Sequence, residues 1–245
     1  MSAAPNGSVN DQGLLVFQEG VFEIEGAITP EYLTARSFPV RTWRYRYVKK
    51  AFDVACALFL ITLLLIPGAL IALVILLTSR GPVFYRELRI GRNGRPFRIW
   101  KFRSMHQDAH RNSHISDAGG SGRSVEWRMR KHLSDPRITP IGGFLRRWSL
   151  DELPQLINVL CGDMSLIGPR PIVEKEARYY GNFMAHYLAV YPGMSGIWQV
   201  SGRSHVDYDK RVLMDAFYVE SWNLNSDFRI LLQTVPAVLT RKGAV

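Results

Sequence analysis

Apolar and polar positions are distributed unevenly along this chain. The first 35 residues are small, polar and acidic, with scattered apolar positions and no helical or strand period, and they read as a mobile tail. From Val54 to Leu77 the sequence runs VACALFLITLLLIPGALIALVILL, 24 residues without a charge. Shorter patterns follow. Residues 83–103 hold two β-rich runs around Asn93-Gly94, which predicts a hairpin. Residues 104–135 are polar, with Gly119-Gly120 and serine punctuation, and predict a helix-containing loop. Thr139-Pro140 marks a helix start. Helical patterning returns at 150–160, 174–190, 207–221 and 226–240, and Pro236 is expected to interrupt the last. That last stretch suits a core helix, or else one lying at a membrane surface.

The 24-residue run would make a straight helix of ~36 Å, longer than a ~30 Å hydrocarbon core. Its length and the lack of a polar face favour a membrane segment over a buried soluble helix. It is not a signal peptide, because its basic flank begins only at Arg36 and no small-residue cleavage site follows. Pro67-Gly68 sits near its middle and divides it into arms of ~20 Å and ~15 Å, neither long enough to cross alone. Two topologies remain: a re-entrant segment broken at Pro67, or a single span with a proline kink.

Charge sharpens this choice. The chain has 245 residues and a net charge of +10, yet residues 1–35 carry five acidic residues and no basic one. Residues 36–103 carry fourteen basic residues and two acidic ones, on both sides of the apolar run. Lys and Arg mark the cytoplasmic flank of a membrane segment, and here both flanks carry them, which favours the re-entrant form. The basic residues crowd around the apolar run and no recognition-helix or RNP-type motif accompanies them, so they point to lipid, not nucleic acid. Two cysteines, Cys56 and Cys161, make no disulfide framework and suit a reducing compartment. The domain organisation predicted is an acidic tail (1–35), a basic juxtamembrane and membrane segment (36–80) and a cytoplasmic domain (81–245).

Three constellations carry candidate chemistry. In Arg146-Arg147-Trp148-Ser149-Leu150-Asp151-Glu152, adjacent carboxylates follow two arginines. One carboxylate can attack phosphorus or hold a cation while its neighbour tunes charge. The spacing Ser149-x-x-Glu152 also fits a helix capping box, and spacing alone favours the cap. In Gly162 to Pro171, Pro169 and Pro171 fix the chain around Arg170, which suits phosphate contact or a plain turn. Pro192 to Ser204 has glycines at three turns and Arg203 after Gly202, as in anion-binding loops. No Walker A loop, dinucleotide fingerprint, HExxH or zinc spacing is present.

In order, Lys50-x-x-Asp53, Gly81-Pro82-Val83-Phe84, Arg89-Ile90-Gly91, Lys101-Phe102-Arg103-Ser104-Met105, the Leu150–Asn158 segment, Gly162–Pro171 and Pro192–Arg203 resemble the monotopic phosphoglycosyl transferases among bacterial sugar transferases. Within that family they are most similar to the galactose-type enzymes that start exopolysaccharide assembly. The resemblance spans about residues 47–245. It implies an α+β fold: a mostly helical cytoplasmic domain with a short β-hairpin, anchored at the bacterial inner membrane by a re-entrant helix broken at Pro67. It implies transfer of a hexose 1-phosphate from a UDP-sugar, galactose before glucose, to undecaprenyl phosphate, with loss of UMP. Asp151 is then the nucleophile and a ligand of Mg²⁺, and Glu152 its partner. Arg146, Arg170 and Arg203 match motif arginines near phosphate or nucleotide, with Pro169 and Pro171 framing Arg170. Lys101 and Arg103 match the family's basic strand and join the substrate-binding set. The family often has Ser before the membrane proline, where this chain has Ile66, so Gly68 would supply the bend. Membrane lipids are partners on this reading, nucleic acid is not, and a homo-oligomer is allowed. The competing reading is a non-enzymatic membrane-tethered scaffold for polysaccharide assembly.

Overall fold

The computed structural model describes residues 39–106, 137–202 and 206–240, together with residues 8–9, 15–16 and 23–24. The predicted loop at 104–135 and Arg203 therefore lie almost wholly outside the described residues. In the N-terminal region, β1 (Ser8–Val9), β2 (Leu15–Val16) and β3 (Glu23–Ile24) pair antiparallel.

A π-helical stretch, Arg44–Lys49, leads into α1 (Lys50–Thr78). Together, Arg44–Thr78 is long and apolar enough to cross a membrane. The helix holds Pro67 inside it and continues on both sides, so the expected break into two helices at Pro67 is not seen. Proline removes one backbone donor and fixes φ near the helical value, and long arms on either side keep the helical path. The two ends of α1 are fastened to the same domain. At the start, buried Lys49 pairs with Asp53 (3.3 Å) and Asp227 (2.9 Å), and Asp53 accepts from the Leu166 amide (3.4 Å). At the end, buried Ile75 packs with Phe102 and Leu145, and Arg103 donates to the Ser79 carbonyl (2.7 Å) and Oγ (2.8 Å). Between them, no residue from Leu58 to Val74 is buried, and Ile66 is 73% exposed.

β4 (Phe84–Ile90) and β5 (Pro96–Phe102) form the predicted antiparallel hairpin, turning at Asn93 and Gly94, both with positive φ. Register places Tyr85 opposite Lys101, Glu87 opposite Ile99 and Arg89 opposite Phe97, so these six share one face. Phe97 and Ile99 are buried there, and the charged residues flank them. α2 (Pro140–Arg147) begins where expected: the Thr139 hydroxyl caps the Gly142 amide at 2.9 Å. α3 (Gln155–Cys161) follows a short 3₁₀ turn at Leu150–Glu152.

β6 (Ser165–Ile167) and β7 (Gly193–Ser195) pair in parallel, which the apolar pattern did not announce. Three-residue strands are too short to show alternation. The predicted 174–190 helix is two, α4 (Glu174–Tyr180) and α5 (Met184–Ala189), divided at Gly181, whose φ is positive. α6 (Ile197–Val200), α7 (Tyr208–Ser221) and α8 (Leu224–Leu239) complete the domain. Pro236 does not interrupt α8 as expected. It falls in the last turn, where one missing donor breaks little, and the Thr240 amide still bonds the Pro236 carbonyl at 2.8 Å. The main core joins Leu156 and Val159 of α3, Leu166 and Ile167 of β6, and Tyr218 and Ile230 of α7 and α8. The fold is mostly helical with small sheets and one long apolar helix.

Candidate active site

Asp151 occupies the centre of the one-turn helix Leu150–Glu152 and is 3% exposed. The chain reaches it through Ser149 at φ 55° and ψ 21°, a left-handed conformation costly for a residue with a Cβ. The expected capping box does not form. The Ser149 side chain makes no cap bond, and the Glu152 carboxylate turns instead to Lys101, 3.1 Å away, and Arg170, at 3.8 Å. Two cations thus take the place of the backbone amide that a capping box would supply.

Lys101 reaches Glu152 because β5 and α3 are fastened together. The Asn158 amide accepts from Trp100 N and donates to the Arg98 carbonyl, both at 2.9 Å, completing the strand's backbone pairing with a side chain. Arg170 is held by two glycine-rich segments that cross in contact. The Gly193 amide donates to the Pro169 carbonyl (2.7 Å) and the Gly168 amide to the Ser195 carbonyl (2.9 Å). A Cβ on Gly193 would lie 2.1 Å from the Gly168 nitrogen, so only glycine permits this crossing. The neighbouring Pro171 carbonyl accepts from Arg89 at 3.0 Å. Burial alone would lower the Arg170 guanidinium, but Glu152, Glu176, Glu87 and Asp151 outweigh it and hold it above its ordinary value.

Arg89, Glu152 and Arg170 border an open cavity of ≈ 1280 Å³, whose lining also includes Ser149, Leu150, Tyr179, Trp198, Tyr208, Arg211 and Asp215. Asp151, next to Glu152 in the chain, is buried and does not itself line the cavity. The structure thus brings Asp151, Glu152, Lys101, Pro169, Arg170 and Pro171 together. It does not bring Arg103 to them. Arg103, the residue just past the end of β5, is buried against the end of α1. Arg146, in the last turn of α2, does not line the cavity, and its Nε is buried without a partner among the described residues. Arg203 lies outside the described residues.

The family model described as bacterial sugar transferase matches residues 44–241. The chain belongs to this family. Among similar proteins, the undecaprenyl-phosphate galactose phosphotransferase of Salmonella typhimurium is 45% identical over 81% of this chain and 42% of its own length. The exopolysaccharide production protein ExoY of Sinorhizobium fredii is 40% identical over 80% of this chain and 87% of its own. The UDP-glucose:undecaprenyl-phosphate glucose-1-phosphate transferase of Escherichia coli is 36% identical over 81% and 42%. Against the Salmonella and Escherichia proteins, this sugar transferase chain spans about two fifths of the relative's length.

Among the described residues, no three His, Cys, Asp or Glu side chains gather as an all-protein metal cage. Mg²⁺ does not require one. It commonly takes one or two carboxylates, with substrate phosphates completing the shell. The adjacent carboxylates of Asp151 and Glu152 are the pair here that could serve such an ion. Four cavity residues lie outside every motif named above: Glu87, Glu176, Arg211 and Asp215. Arg89 and Trp198 lie inside such motifs but carried no site role there. Glu87 and Arg89 were legible from strand alternation with Lys101 once the hairpin was drawn. The α7 residues carry a helical spacing, Tyr208, Arg211 and Asp215, that ordinary amphipathicity also produces.

Proposed function

We propose that the chain is a phosphoglycosyl transferase that moves a hexose 1-phosphate from a UDP-sugar to undecaprenyl phosphate, the first membrane step of exopolysaccharide assembly. A carboxylate oxygen of Asp151 attacks the phosphorus that bears the sugar. A bond from that oxygen to phosphorus forms, the bridge to the nucleotide phosphate breaks, and UMP leaves with the electron pair. An oxygen of the lipid phosphate then attacks the same phosphorus, which restores the Asp151 carboxylate and yields the diphospho-sugar lipid. The observation that carries this reading is a buried carboxylate on a left-handed turn, beside the Lys101–Glu152–Arg170 cluster at the edge of a large cavity.

An anionic nucleophile and two anionic substrates repel one another, so cations must offset the charge. Lys101 and Arg170 supply that field and pair with Glu152 beside the nucleophile. Mg²⁺, held through Asp151, would neutralise phosphate charge. Names of relatives, a galactose phosphotransferase and a glucose-1-phosphate transferase, support a hexose donor, with galactose favoured by the higher identity. The doubly fastened α1 and its uncovered middle support a re-entrant anchor bent at Pro67, with the site at the cytoplasmic face of the inner membrane.

The test uses purified full chain, undecaprenyl phosphate, Mg²⁺ and UDP-galactose or UDP-glucose. UMP release that depends on the lipid is expected, faster with UDP-galactose and stopped by EDTA. Asp151→Asn should lose at least 10³-fold in turnover (roughly the value of a lost nucleophile or key electrostatic group). Lipid-dependent UMP release absent from the wild type would leave the scaffold reading standing.

A further inference from the structure

Beyond the carboxylate pair, the same cavity presents two guanidinium groups to one indole. Trp198 of α6 is buried. The Arg170 guanidinium carbon lies 5.9 Å from its ring centroid and that of Arg211, from α7, lies 4.4 Å from the same centroid. Both arginines line the cavity that also reaches Ser149 and Glu152. Arg211 is further tied by its Nε, which donates to the Val206 carbonyl at 3.0 Å.

Two like charges beside one ring repel each other. Burial, and then the positive field of Arg170, push Arg211 below its ordinary value. The nearby carboxylates are partly occupied: Glu152 binds Lys101 and lies 3.8 Å from Arg170, Glu176 accepts from the Val173 amide at 2.9 Å, and Asp215 accepts from the Tyr180 hydroxyl at 2.7 Å. A guanidinium stacked by its face keeps its donors at the edge, in the geometry that suits phosphate oxygens. An anion between the two would relieve their repulsion, and the indole would hold both in place beforehand.

We propose that Arg211, which shares the Trp198 ring with Arg170, is the second arm of a phosphate clamp in this cavity. This rests on the transferase reading and assigns a residue to it. A phosphoryl group is the ligand, and it can come from the nucleotide donor or from the lipid acceptor.

The experiment uses the full chain in lipid nanodiscs. UDP binding is measured by calorimetry, and undecaprenyl phosphate retention by native mass spectrometry, for wild type, Arg211→Gln and Arg211→Lys. Thermal unfolding of each variant is recorded alongside. Losing one charge-assisted phosphate contact should weaken binding roughly 10- to 100-fold in Arg211→Gln. Arg211→Lys keeps the charge but loses the planar fork, and should fall between it and the wild type. Loss of UDP affinity assigns the clamp to the donor, and loss of lipid affinity alone assigns it to the acceptor. If Arg211→Gln fails to fold, Arg211→Lys carries the test. Wild-type affinity for both ligands, in whichever folded variant, overturns the clamp, even where the melting temperature falls. A wild type that binds neither ligand refutes the transferase reading itself.

Discussion

At the scale of single residues, Asp215 sets a pH dependence that is separate from the chemistry at Asp151. Burial raises its carboxyl from the ordinary value of 3.8 to about 7, against the lowering effects of the Tyr180 hydroxyl and Arg211. The folded protein then holds a proton that the unfolded chain has released between about pH 4 and pH 7. Stability from this group is full below pH 4 and is lost as pH rises through 7, with a slope of at most ~1.4 kcal/mol per pH unit. Asp215→Asn keeps an acceptor for Tyr180 and cannot titrate. Its melting temperature relative to wild type should therefore rise between pH 5 and pH 8. A constant difference across that range would remove the titration. Little of this was legible beforehand. Asp151 and Glu152 stood out as an adjacent pair, but nothing in the spacing of Asp215 tells a buried cleft wall from a solvated helix face. The pair itself first read as a cap, because Ser149-x-x-Glu152 has the right interval. The left-handed Ser149 and the approach of Lys101 from β5 decide otherwise, and both are tertiary facts.

At the scale of elements, local signals were read well and crossings were not. Thr139-Pro140 and Asn93-Gly94 each specify their structure within four residues, and α2 and the β4–β5 hairpin appear where they predict. The β6–β7 pair was invisible because its partners lie 26 or more residues apart and each strand is three residues long. Their glycines were noticed as candidate anion loops, whereas their direct role is to let two backbones touch. That contact carries Arg170, since Pro169 bonds the Gly193 amide immediately before it. Gly193→Ala would drive a Cβ to 2.1 Å from the Gly168 nitrogen, with backbone on both sides unable to yield cheaply. A loss of about 3 kcal/mol is expected, read as a fall of roughly 6–12 °C in melting temperature. UDP affinity should fall with it at temperatures where the variant is still folded, because the clamp arginine is displaced. A stable Gly193→Ala protein with normal UDP binding would show that the crossing does not position Arg170.

At the scale of the whole molecule, one strand links the anchor to the site. Lys101 in β5 and Arg103, the residue just past its end, stand two residues apart, ~7 Å along the extended chain, with Lys101 on Glu152 and Arg103 on the end of α1. The other end of α1 is tied through Lys49 to Asp227 of α8. A helix fastened at both ends to one domain cannot emerge on the far side of a bilayer without releasing one fastening. Releasing the first would strand the buried Asp227 without its cation, which typically costs 3–5 kcal/mol. Releasing the second would leave the Arg103 guanidinium buried without the Ser79 oxygens. The basic flanks add to this, because the Arg and Lys residues on each side would resist transfer. In a background without Cys56 and Cys161, single cysteines at Arg44 and Pro82, both exposed, are predicted to react with a membrane-impermeant maleimide from the same side. In inverted inner-membrane vesicles both should label, and in intact spheroplasts neither should. Labelling of one in each preparation would mean that α1 spans, and would require the Lys49 or the Arg103 fastening to open in the membrane. Pro67→Ala carries the point further. If the proline bends α1 within the bilayer, straightening it should change the labelling of Pro82→Cys while leaving that of Arg44→Cys unchanged.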